Sequence, residues 1–335
     1  MGTNQRITPR HLDQWLYFAL PVHSLALIFQ VIGKNDTRRM CSLYLLLLAY
    51  VLNWWQRNEL IRTFIMDGNF SAEHMKCRTG EAEVPLSAGM AFMANPDSYR
   101  THLQTAEEVP QVSGICSYVC SCLITPQPNT CNTYKAIEQA NSRRPHLDVT
   151  GIGATACCHG FFVPASVVDF QKGERFVLLF MTISCAQLTC TFRQINMDYS
   201  LCKALSYHMD GIPVALVMYD IMCQYGVHFR ECVERSPELT VAHSLELRTG
   251  IGLFHIHGHQ DSCLPRYSPS YIPGAKQVDG EIIETLWAPL NNVSRSIRGM
   301  SLVHRQEVLD AHMNHSNWKK LVRIGMSYVH SHLLN

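Results

Sequence analysis

An α/β layer domain is the fold class this chain predicts, on three observations. Residues 212–219 form a near-continuous apolar run closed by Asp220, the pattern of a strand covered on both faces. Shorter β-like runs stand at 60–66, 149–156 and 161–168, with another candidate at 252–257. Helical stretches occupy 199–209, 281–290 and 301–313. Strands alternating with helices bury their apolar faces as layers.

Composition bounds what such a domain can be. The chain has 335 residues, 47% hydrophobic and 16% charged, which excludes a disordered polyelectrolyte. A net charge of +1 gives no global field toward nucleic acid or lipid, so any polyanion site must be a local patch. Fourteen cysteines in so long a chain read as reduced thiols rather than a disulfide framework. The N-terminal stretch lacks the basic end, apolar core and cleavage site of a signal peptide. Apolar runs at 16–33, 41–55 and 176–192 fall short of the ~20 residues of a membrane span and carry polar side chains, so they read as core. A small membrane protein built on them is the alternative they leave.

Two features carry chemistry. The first is a pair of strand candidates, each delivering an aspartate at its C-terminal end: Asp67 after 60–66 and Asp220 after 212–219. The crevice outside the carboxyl ends of strands is where sites form in open α/β sheets. Asp67 serves equally to open an Asp-Gly turn, and Asp220 to cap a helix. The second feature is Asp279-Gly280-Glu281-Ile282-Ile283-Glu284-Thr285-Leu286-Trp287. Helical spacing puts Glu281 and Glu284 on one face, with Trp287 a turn further on. Such acids complement a helix dipole, or they hold a metal. Two aspartates and a glutamate are the oxygen ligands that hard divalent cations prefer, and a pair of such ions supports phosphodiester chemistry.

Between these features lies Phe254-His255-Ile256-His257-Gly258-His259-Gln260-Asp261-Ser262-Cys263. Read as a strand, it places His255, His257 and His259 on one face with Cys263 within a turn. The set suits either structural hydrogen bonding or a structural zinc ion, and Cys157, Cys158 and His159 share that ambiguity. Basic residues cluster from 291 to 323: Arg295, Arg298, Arg305, Lys319, Lys320 and Arg323 stand against Glu307 and Asp310. That excess fits a phosphate backbone or a solvated helix face.

The ordered blocks resemble a known family. They are Asp67-Gly68-Asn69-Phe70; Thr130-Cys131 with Lys135-Ala136-Ile137 and Ala140-Asn141; Thr150-Gly151-Ile152-Gly153-Ala154; and Gln171-Lys172-Gly173-Glu174-Arg175. Asn196-Met197-Asp198-Tyr199, Tyr219-Asp220-Ile221 with Cys223-Gln224, the His/Cys block and the Asp279-to-Trp287 block follow. Together they are similar to the transposases of fungal Kyakuja–Dileera–Zisupton elements over roughly residues 60–320. The resemblance implies a ribonuclease-H-like mixed sheet flanked by helices, with irregular insertions. It also implies DDE-type DNA strand cleavage and transfer with two Mg²⁺ or Mn²⁺ ions. It makes Asp67 the first acid, Asp220 the second, and Glu284 or Glu281 the third. Related superfamilies place that glutamate three residues before an aromatic, which favours Glu284. Cys157, His159, His255, His259 and Cys263 become structural, with Arg295, Arg298, Arg305, Lys319 and Lys320 on DNA.

The implied partners are transposon-end DNA and a second copy of the chain, in the nucleus, with no small-molecule cofactor. Departures from the family pattern divide the chain. Residues 1–59 are a partly apolar N-terminal segment, 60–323 the core, and 324–335 a tail. Two apolar, Cys-bearing inserts, 112–126 and 176–193, interrupt the core and read as translated introns in a decayed or misassembled copy. A non-catalytic DNA-binding relic is the alternative function.

Overall fold

The computed structural model describes residues 61–76, 84–105, 131, 144–171, 176–183, 187–275 and 278–333. The segment 1–59 with its two apolar runs, the insert 112–126 and the Lys135 and Ala140 blocks lie outside the described residues. Among the described residues, no helix is long and apolar enough to cross a membrane.

In chain order the strands are β1 (Ile61–Asn69), β2 (His74–Met75), β3 (Leu147–Val149), β4 (Gly151–Cys157), β5 (Val168–Phe170), β6 (Phe176–Ile183), β7 (Gln187–Gln194), β8 (Val214–Met218) and β9 (Glu246–Gly250). The helices are α1 (Pro96–Thr105), α2 (Ile195–Ser206), α3 (Met222–Glu234), α4 (Leu253–Ile256), α5 (Leu264–Tyr267), α6 (Glu284–Ile297) and α7 (Leu302–Leu333). Five strands make one mixed sheet in the order β5-β4-β1-β8-β9. β1, β8 and β9 run parallel, while β4 is antiparallel to both β1 and β5.

The two-residue period of a strand sorts the core into two faces. Phe64 and Met66 of β1 and Ala215 and Val217 of β8 face one side. There they meet Met197, Leu201 and Leu205 of α2 and Met222, Tyr225 and Phe229 of α3. Ile65, Leu216 and Met218 face the other side, joined by Ile152, Ala154 and Ala156 of β4. Leu286, Trp287 and Leu290 of α6 and Leu309 and Met313 of α7 cover that face. Every residue of β8 is buried, as its unbroken apolar run demands. On β4, a Cβ at Gly153 would lie 2.6 Å from both Met197 Sδ and the Phe170 ring, so only glycine lets α2 lie so close.

Three buried polar residues fasten α7 to the rest. Arg305, fully buried, pairs with Asp169 at 2.7 Å and donates to the Ala72 carbonyl at 2.7 Å. Asp310 accepts the Phe92 and Met93 amides at 3.0 and 2.8 Å and the Ser87 hydroxyl at 2.8 Å. Asn317 accepts the Phe162 amide at 2.9 Å and donates to the Phe162 carbonyl at 3.0 Å. Burying these groups is tolerable because their polar atoms are so largely partnered.

Several expectations shift. β1 runs past residue 66 to Asn69, so Asp67 sits within a strand, paired with Ala154, and opens no turn. The run 161–168 makes only isolated bridges before β5, because Pro164 and Ala165, whose φ is 56°, turn the chain there. The strand expected at 252–257 is the short helix α4, and β9, an edge strand of the sheet, stands immediately before it. Within the insert, 176–183 pairs with the strand that starts at 187 as the β6–β7 hairpin, outside the five-stranded sheet, with β7 packed along α3.

Candidate active site

The three parallel strands end at one edge of the sheet, and the acids gather there. Pairing of β1 with β8 runs from Ile61 opposite Val214 to Ile65 opposite Met218, an offset of 153. Asp220 also lies 153 positions beyond Asp67, so each aspartate stands two residues past the last parallel pair. Alternation turns Asp67 to the Ile65 face, where the buried Trp287 donates its indole N–H to Asp67 Oδ2 at 2.6 Å. The tryptophan, 5.8 Å from the Phe162 ring, therefore orients one acid.

β9 reaches the same edge and hands the chain through Ile251-Gly252 to α4, which carries His255. His255 Nε2 lies 3.0 Å from Glu281 Oε2 and 3.5 Å from Asp220 Oδ2. One ligand atom from each of Asp220, His255 and Glu281 lies within 4.8 Å of the others. The hydrogen bond to Glu281 and the charges of Asp220, Glu281 and Asp67 raise the His255 pKa to about 9, against the opposing effect of burial. At neutral pH His255 is thus a cation between carboxylates.

Glu281 comes in on a hydrogen-bonded turn pressed against the Gly252 backbone. A Cβ on Gly252 would fall 1.9 Å from Glu281 Oε1, and one on Gly280 would fall 2.6 Å from Gly252 Cα. Both glycines are needed for that approach. Glu281 Oε1 is buried without a hydrogen-bond partner. Glu284, expected as the third acid, is exposed in the first turn of α6 and does not join the Asp220–His255–Glu281 group. An orphaned carboxylate oxygen beside a second carboxylate and an imidazole fits a hard divalent cation.

A second cluster stands close by. Cys131, Cys223, His259 and Cys263 each offer a ligand atom within 4.8 Å of the rest. Burial, with the Cys263 and Cys131 thiols beside it, pushes the Cys223 thiol up. The expected His/Cys set is therefore divided. His259 and Cys263 join this cluster, and His255 joins the acids. Cys157, its thiol pushed up by burial in β4, belongs to neither group, and nor does His159. Cys131 and Cys223 were not anticipated as partners of the block; their signal was membership in the same ordered set of motifs.

The basic residues separate as well. Arg305 does not reach the surface expected of a phosphate contact, because its guanidinium is buried on Asp169 and Ala72. Arg298 is held by Glu73 at 2.7 Å, and Lys320 approaches Thr285 Oγ1 at 3.5 Å with its pKa lowered by burial. Arg295, Lys319 and Arg323 are exposed.

A family model described as Kyakuja-Dileera-Zisupton transposase matches residues 61–317, from the start of β1 to the asparagine that clamps Phe162. No curated protein and no solved structure matches the chain.

Proposed function

Because the chain belongs to the Kyakuja-Dileera-Zisupton transposase family, we propose that its mixed sheet is a ribonuclease-H-like core that cleaves and rejoins DNA ends in the nucleus, with Asp67, Asp220 and Glu281 as its acids. The observation that supports this reading is the common offset of 153, which sets Asp67 and Asp220 each two residues past the last β1–β8 pair, together with the approach of Glu281 and Asp220 to His255. Antiparallel strands on one side of β1 and parallel strands on the other are compatible with that core.

The three carboxylates are hard oxygen donors and would hold Mg²⁺ or Mn²⁺. Such ions activate a water or 3′-hydroxyl and stabilise the leaving oxygen in phosphodiester chemistry. The chain's own residues do the positioning. Trp287 fixes one oxygen of Asp67. His255 offsets the mutual repulsion of Asp220 and Glu281 and keeps them in register before metal arrives. Exposed Arg295, Lys319 and Arg323 supply phosphate contacts whose strength falls with salt.

The test is Mg²⁺- or Mn²⁺-dependent nicking of duplexes carrying the element's own ends. Asp220→Asn and Glu281→Gln should abolish nicking, while Glu284→Gln should retain it. Asp220→Asn activity equal to the unaltered chain would overturn the reading. The β6–β7 hairpin, standing outside the five-stranded sheet, supports a second proposal, that 176–193 is a translated intron in a misassembled copy. Transcripts retaining those codons would sink it.

A further inference from the structure

Beside the acids, Cys131, Cys223, His259 and Cys263 converge from segments far apart in the chain, and we propose that they form a structural zinc site of the Cys3His type. The Sγ atoms of Cys131 and Cys263 are 3.8 Å apart, and Cys223 Sγ is 3.4 Å from His259 Nδ1. Zinc–sulfur bonds of about 2.3 Å and zinc–nitrogen bonds of about 2.0–2.1 Å, set tetrahedrally, separate two sulfurs by about 3.8 Å and sulfur from nitrogen by about 3.6 Å. One sulfur–sulfur edge of the cluster matches and one sulfur–nitrogen edge is within about 0.2 Å, while all four ligand atoms lie within 4.8 Å of one another. A disulfide requires sulfurs about 2.05 Å apart, so 3.8 Å does not describe that bond.

Donor chemistry agrees with the geometry. Three thiolates and an imidazole select zinc over Mg²⁺ or Ca²⁺, and four protein ligands close the coordination sphere, as structural sites do. An outer layer of hydrogen bonds is also in place. The Gln260 amide points at Cys131 Sγ at 3.4 Å, and Gln224 Nε2 donates to the Cys131 carbonyl at 2.7 Å. The His259 ring also hydrogen bonds the Asp220 backbone carbonyl, the kind of partner that fixes the tautomer of a ligating histidine.

The site's place in the fold gives it a task. Cys223 is on the first turn of α3, three residues after Asp220, and His259 follows His255 by four. An ion held by Cys223 and His259 ties the loop after β8 to the segment carrying His255. The zinc site would therefore hold two members of the acidic group at a fixed separation without touching DNA.

The experiment is metal analysis of the full chain purified without added metal, followed by cobalt substitution. One zinc per chain is expected, and the cobalt form should show the intense sulfur-to-metal absorption of a thiolate-rich tetrahedral site. Cys131→Ser and Cys263→Ser should lose the metal. Cys223→His, which keeps a ligand, should retain it with an altered cobalt spectrum even if the serine variants fail to fold. Asp220→Asn and Glu281→Gln should keep the full zinc content. Absence of zinc, zinc undiminished in Cys131→Ser, zinc lost with the acid variants, or a Cys131–Cys263 disulfide in the unreduced protein would each overturn the proposal.

Discussion

Arg305→Met removes the guanidinium that pairs with Asp169 at 2.7 Å and bonds the Ala72 carbonyl at 2.7 Å, in a side chain with no exposed surface. Deleting one partner of a buried ion pair strands the other charge and typically costs about 3–5 kcal/mol. Here Gln306 still donates to Asp169 Oδ2 at 3.1 Å, and Arg305 Nε has no partner to lose. Both facts place the effect near the lower limit, about 3 kcal/mol. At about 2–4 °C per kcal/mol for a domain of this size, the melting temperature should fall by about 6–12 °C. Arg305→Met/Asp169→Leu removes both charges and should recover most of the loss. The assay is thermal unfolding by circular dichroism alongside DNA binding across a salt series. An unchanged melting temperature, together with a salt slope reduced by about one, would mean that Arg305 contacts phosphate and that the buried-pair reasoning is wrong.

Three further outcomes are expected. His255 has its pKa raised above the usual 6.5 to about 9, so its contribution to the metal-free fold is complete below pH 6.5 and is lost as pH climbs through 9. The melting-temperature gap between the chain and His255→Ala should accordingly shrink over that window, modestly because His255 is half-exposed, and a gap that widens would refute it. Gly252→Ala should displace the Glu281 carboxylate, since the new Cβ would fall 1.9 Å from Oε1. Metal-dependent nicking should then drop while circular dichroism stays unchanged, and full activity would argue against Glu281. Residues 176 and 194 are cross-strand partners, about 5 Å apart, so replacing 177–193 with a short Gly-Ser link should leave cooperative unfolding intact. Loss of the transition would make the hairpin part of the core.

How legible each part was depends on how much of its signal is local. β8 could be read because burial on both faces writes itself as five apolar residues in a row. β9 could not: Glu246 and Arg248 reach solvent and pair with each other at 2.6 Å, so the edge strand looks like a charged loop. α4 reads as a strand because one helical turn is too short to show a period, and His-Ile-His alternates as a strand does. The preference for Glu284 rests on the spacing that related superfamilies keep to an aromatic, which carries nothing about the local backbone here. The helix begins only at Glu284, and the turn before it swings Glu281 onto Gly252. Cys131 and Cys263 stand 132 positions apart, a separation at which only the fold can bring two ligands together.

The short steps from Asp220 to Cys223 and from His255 to His259 have a consequence for change by insertion and deletion. Each segment feeds two clusters at once, so a residue gained or lost inside either would pull a ligand out of one centre in order to keep the other. The loop between α3 and β9 carries no ligand to either cluster and is where length can vary at little cost. Among copies that keep both centres, frame-preserving length changes should therefore accumulate at 235–245 and be absent from 220–223 and 255–259.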